Sequence, residues 1–185
     1  MSKNVPHFHR IDLTRVEASF SANGQHRALL RLPFLDRLQG NMLCVIGQNP
    51  SYANAEFADK TIHYIERFVY ERFPKVSQIL MLNLCSRVDT AKSATLGAND
   101  MQCDMIFRQT IRSNRQFLVI FGKLTNAGSY PFRDRAVELR KLLKGRTVYK
   151  IDLGTNYAPH PGNPKILYTN YSLGVNRYDF SDLDA

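Results

Sequence analysis

Residues 42–51 spell Met-Leu-Cys-Val-Ile-Gly-Gln-Asn-Pro-Ser, an apolar run that stops abruptly at a polar turn. A short continuous apolar run is typical of a strand that is buried on both faces of a parallel sheet. The turn after such a strand lies where open α/β sheets bind their ligands, outside the carboxyl ends of the strands. The segment therefore predicts a buried strand from Met42 to Gly47 with a ligand site beside it.

The same strand pattern recurs along the chain and alternates with amphipathic helices. Further strands are predicted over Gln78 to Asn83, Phe117 to Phe121 and Thr147 to Leu153. Helices are predicted over Asp59 to Phe73, Asn99 to about Ser113 and Phe132 to Leu143, with Asp59 and Asn99 as N-caps. Strands that alternate with helices predict an α/β fold of three layers, α/β/α, around a central, mainly parallel sheet of four strands.

The N-terminal part of the chain shows a different pattern. Two β-compatible runs within residues 16–32 flank Asn23 and Gly24, a pair that tolerates the positive φ angles of a tight turn. We therefore expect an N-terminal β-hairpin that decorates the edge of the main sheet. Residues 1–10 are predicted to form a flexible basic tail, and His7 and His9 in it lack the further Cys or His of a metal site.

Size and composition favour one globular domain over residues 1–185. Apolar residues make up 44% of the chain and charged residues 22%, and no apolar run approaches the ~20 residues that span a bilayer. Cys44, Cys85 and Cys103 lie among apolar residues, which favours buried core positions over a disulfide or a reactive thiol. We expect a monomeric, cytoplasmic protein that does not bind membranes.

Polar side chains cluster directly after the four predicted strands. In chain order they are Gln48, Asn49, Ser51 and Tyr52, then Asn83, Cys85, Ser86 and Arg87, then Lys123, Thr125 and Asn126, then Asn156, Tyr157, His160 and Asn163. Amides dominate this set, and carboxylates and Cys/His clusters are missing from it. This argues against a carboxylate-pair hydrolase and against a metal site, and we predict neither metal nor cofactor.

Amides carry both donors and acceptors and so suit the edge of a nucleobase, whereas a histidine can donate to an anion that develops as a bond breaks. That combination suits the departure of a base from a sugar. A net charge of +9 also favours a polyanionic partner, although charge alone does not identify one. Each of these residues can also be explained by a structural role alone, since Asn-Pro pairs form turns and single histidines are often structural.

The order of these motifs resembles the uracil-DNA glycosylase superfamily. That superfamily has a strand ending in Gly-Gln-Asp-Pro-Tyr-His, or Gly-Ile-Asn-Pro-Gly in its mismatch-specific branch, then a strand ending on Asn, an aromatic-Gly pair and a His-Pro-Ser-Pro loop. The corresponding segments here are Gly47 to Ser51, Leu82-Asn83-Leu84, Phe121-Gly122 and His160 to Pro164. The chain also resembles an uncharacterised bacterial family with Asn-Pro-Ser, Asp-x-Thr, Asn-Leu and His-Pro motifs. The resemblance covers about residues 42–168.

The resemblance implies a role for each matching residue. Asn49 corresponds to the residue that holds the attacking water, and an amide there resembles the mismatch-specific branch. Asn83 corresponds to the residue that binds the Watson–Crick edge of the extruded base. His160 corresponds to the histidine that stabilises the departing base anion at O2, and the backbone of Gln48 would line the pocket.

Further contacts with DNA follow from the same resemblance. Tyr52 or Phe57 would stack on the base, and Ile166 or Leu167 would be the wedge that fills the vacated stack. Phosphate contacts would come from nearby cations: Arg87, Lys123 and Lys165.

Two departures from the superfamily pattern bear on the substrate. Ser51 occupies the place where uracil-specific enzymes carry a bulky Tyr that blocks a 5-methyl group, so a small side chain there leaves space beside C5. The loop that starts at His160 is one residue longer before its second proline than His-Pro-Ser-Pro.

The leading prediction is a monofunctional DNA glycosylase that acts on an extruded pyrimidine, C5-substituted or hypermodified, in base excision repair or in anti-phage defence. Its partner would be double-stranded or single-stranded DNA. One alternative is a non-catalytic nucleic-acid or nucleotide-binding domain, which Asn49 in place of Asp favours. A second is an N-ribosyl hydrolase of free nucleosides, which the charge of +9 disfavours.

Overall fold

The computed structural model describes residues 4–89, 99–126 and 130–184. Within these ranges the strands form one sheet of seven, in the order β1-β2-β4-β3-β5-β6-β7. The strands are β1 (Glu17–Phe20), β2 (Arg27–Pro33), β3 (Asn41–Gly47), β4 (Val76–Asn83), β5 (Gln116–Val119), β6 (Thr147–Ile151) and β7 (Val175–Arg177).

The four strands predicted as the sheet form its parallel centre. β3 pairs in parallel with β4 and with β5, and β5 pairs in parallel with β6. At the two sides β2 pairs antiparallel with β4, and β7 pairs antiparallel with β6. The α/β class is therefore confirmed, but the prediction of a four-stranded sheet is wrong, because the hairpin β1-β2 is part of a larger mixed sheet and β7 extends its other side.

Helices cover both faces of this sheet. They are α1 (Lys60–Arg72), α2 (Met101–Ser113) and α3 (Phe132–Leu142). Leu43 and Val45 of β3 pack in the same apolar cluster as α1, whereas Cys44 and Ile46 pack with α2 and α3. None of the helices in the described parts of the chain is long and apolar enough to cross a bilayer.

The predicted N-cap is confirmed for α1 and wrong for α2. Asp59 caps α1, since its side chain accepts from the N–H of Ile62 at 2.8 Å. Asp100, not Asn99, caps α2 by accepting from the N–H of Cys103 at 2.9 Å. The Asn99 side chain instead accepts from the N–H of Ser86 at 3.0 Å, which ties the start of α2 to the segment after β4.

The prediction of a flexible tail is wrong for residues 4–10. Val5 forms a β-bridge with Ala58, and Phe8 is buried. His7 is also buried, and its Nδ1 lies 2.5 Å from Oε1 of Glu66, while the other carboxylate oxygen accepts from the N–H of Phe8 at 2.7 Å. The buried Glu66 carboxylate, which belongs to α1, therefore anchors residues 4–10 on that helix through His7 and Phe8.

The three cysteines are buried, as predicted. Burial raises the pKa of Cys103 to about 11 and likewise that of Cys85 to about 11. Both thiols are therefore protonated at neutral pH, which is unsuited to a nucleophile.

Candidate functional site

A cavity of about 650 Å³ lies at the carboxyl edge of the parallel strands. The ends of β4, β3 and β5 meet there because these strands are neighbours in the sheet. Of the predicted site residues, the cavity brings together Gln48, Asn49, Ser51, Asn83, Lys123 and His160. Among the described residues no group of His, Cys, Asp or Glu side chains is arranged to hold a metal ion.

The loop after β3 is held by backbone and side-chain hydrogen bonds. The carbonyls of Gly47 and Gln48 accept from the N–H groups of Leu84 and Cys85, both at 2.9 Å. The Gln48 side chain donates from Nε2 to the carbonyl of Phe121 at 2.7 Å, which links the loop to the segment after β5.

Asn49 is oriented by one specific contact. Its Nδ2 donates to the backbone carbonyl of Asp89. Because the NH₂ end of the amide makes this bond, Oδ1 is the atom through which Asn49 can accept a hydrogen bond from a water molecule.

Asn83 lies at the last position of β4 and is buried. Its Oδ1 accepts from Nη2 of Arg27 at 3.4 Å. A Cβ on Gly47 would lie 3.0 Å from Nδ2 of Asn83, so the absence of a side chain at Gly47 provides the space for this amide. With Oδ1 directed at Arg27, Nδ2 is the end of the amide that can donate to a ligand.

Arg27 is a cavity residue that the sequence pattern did not indicate. It is the first residue of β2, and β2 runs antiparallel to β4, so its start lies beside the carboxyl end of β4. Burial lowers the pKa of Arg27 to about 10, and the charge of Asp59 offsets this in part. The guanidinium therefore remains charged at neutral pH while only 2% exposed.

The His160 loop packs closely on Gly122, in the segment after β5. The N–H of Gly162 donates to Nδ1 of His160 at 3.0 Å, so in the neutral ring the hydrogen is on Nε2. Gly122 adopts a left-handed φ of +73°, and a Cβ there would lie 3.3 Å from Cβ of His160. The N–H of Gly122 donates to the carbonyl of Ala158 at 2.8 Å.

Tyr168 is a second cavity residue that the sequence pattern did not indicate. Its ring stands edge-on to His160, with the ring centroids 6.3 Å apart. A Cβ on Gly162 would lie 2.6 Å from the Tyr168 hydroxyl, which explains why the loop carries glycine after His-Pro.

Several predicted contacts lie outside the cavity lining. Tyr52 is 61% exposed, and neither it nor Phe57 lines the cavity; the aromatic residues that line it are Phe121 and Tyr168. Ile166 is 1% exposed and belongs to the core, so its prediction as a wedge is wrong. Leu167 is the exposed apolar residue of that loop.

The three cations predicted to contact phosphates lie at different positions relative to the cavity. Lys123 lines the cavity and is exposed, whereas Lys165 is exposed in the loop after His160. Arg87 is partly exposed and pairs with His26 through a β-bridge, away from the cavity lining.

Replacing Gly122 with alanine is expected to destabilise the fold by about 1–2 kcal/mol, because a left-handed φ is unfavourable for a residue with a Cβ. The new Cβ also displaces His160. Gly154→Ala is the matched control, since Gly154 has a φ of +69° and nothing within 4 Å of its added Cβ. Urea unfolding should show similar losses in the free energy of unfolding for the two variants. Only Gly122→Ala should shift the NMR signals of the His160 ring. Unshifted signals in both variants would show that this contact does not position His160.

Residues 33–164 match the family model described as "Protein of unknown function (DUF1643)". The chain belongs to this family. The matched residues run from the end of β2 to the His160 loop, so they include the whole cavity lining except Arg27 and Tyr168. No curated protein and no solved structure matches the chain.

Proposed function

We propose that the protein is a monofunctional DNA glycosylase that hydrolyses the N-glycosidic bond of an extruded pyrimidine. The observation that carries the proposal is the meeting of Asn49, Asn83 and His160, from three distant segments, in one cavity at the carboxyl edge of the sheet. These are the residues that the motif order assigns to the water, the base edge and the leaving base. The volume of about 650 Å³ is in the range of small-molecule sites, which suits a single flipped nucleotide.

The proposed reaction needs three contributions from the chain. Asn83 donates from Nδ2 to the edge of the base. As the bond from the base nitrogen to C1′ breaks, its electron pair leaves with the base, and His160 donates from Nε2 to the developing anion at O2. Water held by Asn49 adds to C1′ of the oxocarbenium-like sugar, and its proton ends on the base or in solvent. An amide suffices to orient this water because the bond has largely broken before water attacks.

Ser51 favours a pyrimidine that carries a substituent at C5. Its side chain is small and buried at the cavity, and its Oγ accepts from the N–H of Ala53 at 3.3 Å. Such a residue leaves room where a bulky aromatic residue would block a 5-methyl group. The settings that suit this substrate are repair of modified bases and defence against phage with modified DNA.

Exposed lysines at the cavity favour DNA over a free nucleoside. Lys60 and Lys123 line the cavity, Lys165 lies in the adjacent loop, and the net charge of the chain is +9. Cations around the mouth of a base-binding cavity can neutralise the phosphates that flank an extruded nucleotide. A hydrolase of free nucleosides has no need of them.

Replacing Asn49 with alanine is expected to lower the rate of base release by at least about tenfold, because water is then no longer positioned for attack. Duplexes with uracil, mismatched thymine, 5-hydroxymethylcytosine or its glucosylated form would be incubated with the protein, and abasic sites would be scored by alkali-induced cleavage. Asn176→Ala, an exposed asparagine on β7, is the matched control and should keep full activity.

A mobility-shift gel and an assay on free nucleosides, run beside the cleavage assay, distinguish the alternatives. A non-catalytic binding domain would retard DNA in a mobility-shift gel without producing abasic sites. An N-ribosyl hydrolase would release bases from nucleosides but not from DNA. Either result would contradict the proposal.

A further inference from the structure

Arg27 is buried without the partners that a buried arginine normally has. It donates three hydrogen bonds, all to neutral oxygens and all at 3.2 Å or longer. Its Nε has no hydrogen-bond partner among the described residues, and Asp59 acts on it only through space. Burying a cation without an ion pair is strongly unfavourable, and none of the carboxylates in the described parts of the chain forms an ion pair with Arg27.

The guanidinium lies at the end of the cavity that is formed by Asn83 and Ser51. Nη2 donates to Oδ1 of Asn83 at 3.4 Å, and Nη1 donates to the carbonyls of Ser51 and Ala53 at 3.2 Å. Because Arg27 is only 2% exposed, a DNA phosphate on the protein surface does not reach it. Only a group that enters the cavity with the base comes close to it.

The first turn of α1 adds positive potential at the same cavity. Lys60 and Thr61 line it. The Asp59 side chain already accepts from the N–H of Ile62, whereas the N–H groups of Lys60 and Thr61 have no partners within the helix. These N–H groups, the helix dipole and the Lys60 ammonium all favour an anion. Asp59 is the only carboxylate among the described lining residues, and its single charge does not balance Arg27 and Lys60.

We infer that Arg27 and the first turn of α1 form an anion-binding subsite, and that the excised pyrimidine carries an acidic group at C5, a carboxylate or a phosphate ester. In a pyrimidine ring C5 adjoins C4, so a C5 substituent lies at the same end of the base as the edge that Asn83 binds. Ser51 leaves room at that end, and Arg27 contacts its backbone. This inference rests on the proposed function, because it names the substrate class of that site.

The first test measures anion binding without DNA. Inorganic phosphate is expected to raise the melting temperature of the wild type relative to chloride at equal ionic strength. Arg27→Met should lose this shift, and Arg27→Lys, which keeps the charge, should retain part of it. Arg31→Met is the matched control on the same strand and should keep the whole shift, since the Arg31 side chain is 41% exposed and pairs with Glu17 at 3.5 Å.

The second test measures base release from matched duplexes that carry 5-carboxyuracil or 5-hydroxymethyluracil. The wild type is expected to release the acidic base faster by about tenfold or more, the effect of one hydrogen-bonded charge pair. Arg27→Met should lose this preference, and Arg31→Met should keep it.

Each remaining outcome overturns a defined part of the inference. Equal rates on the two bases, or a preference that persists in Arg27→Met, would overturn the acidic substrate and leave base release itself standing. Release from neither duplex would overturn the acidic substrate, and the proposed function would be overturned as well only if the duplexes with uracil, mismatched thymine, 5-hydroxymethylcytosine and its glucosylated form also released no base. The phosphate measurement would still decide whether Arg27 binds anions. A larger rise in melting temperature with a nucleoside monophosphate than with the free acidic base would assign the subsite to a nucleotide phosphate. That result would overturn the assignment to C5.

Discussion

Replacing His160 with alanine is expected to lower the rate of base release by about 10²-fold, the usual effect of removing one donor to a developing anion. Gly162 donates to Nδ1 of the ring at 3.0 Å, so Nε2 carries the hydrogen that is donated to O2 of the departing base. Without it, negative charge develops on the base with less stabilisation in the transition state. The measurement is single-turnover release from duplex DNA, scored as alkali-labile strand breaks.

His9→Ala is the matched control, because His9 is exposed and lies outside the cavity lining. It should release base at the wild-type rate. Both variants should bind intact DNA with unchanged affinity, because the His160 contact strengthens only as the bond breaks. Full activity in His160→Ala would show that the motif order does not reflect glycosylase chemistry.

The central sheet was predictable because each parallel strand is a continuous apolar run that both faces of the sheet bury. The structure places β3 at Asn41–Gly47 and β4 at Val76–Asn83, within two residues of the predicted bounds. The position of the hairpin was not predictable, because periodicity identifies a strand but not its neighbour. β7 is Val-Asn-Arg, too short and too exposed to produce a pattern.

The site residues that follow parallel strands were predictable for a topological reason, since such turns all lie at one edge of the sheet. Arg27 was not, because it reaches that edge at the start of an antiparallel strand. Tyr168 was likewise not predicted, and Ile166 was wrongly predicted as a wedge. Leu167 and Tyr168 adopt left-handed φ values of 47° and 59°, rare outside glycine, and the chain there places Ile166 in the core and Tyr168 at the cavity.

Replacing Glu66 with alanine is expected to lower the free energy of unfolding by about 3–5 kcal/mol, the usual cost of removing one partner of a buried ion pair. Glu66 is fully buried and accepts from His7 and from the N–H of Phe8 at 2.7 Å. The measurement is urea unfolding. Glu71→Ala is the matched control on α1, where an exposed pair with Arg67 at 2.7 Å contributes only about 0.3–0.5 kcal/mol.

The pH dependence of stability should change sign in the Glu66→Ala variant. Burial alone would lower the pKa of His7, but the bond to Glu66, the Glu66 charge and the bond to the Asn54 carbonyl together outweigh burial and raise the pKa above its ordinary value. Burial raises the pKa of Glu66 above 4.5, and His7 offsets this only in part. The folded wild type therefore holds protons more tightly than the unfolded chain, and the stability from these groups is lost as the pH rises through their folded-state pKa values.

In Glu66→Ala, His7 stays buried without a carboxylate, so its pKa falls below its ordinary value and stability rises with pH instead. Unfolding free energies at about pH 5 and about pH 8 decide this, and slopes of equal sign in both proteins would show that the pair does not hold the proton.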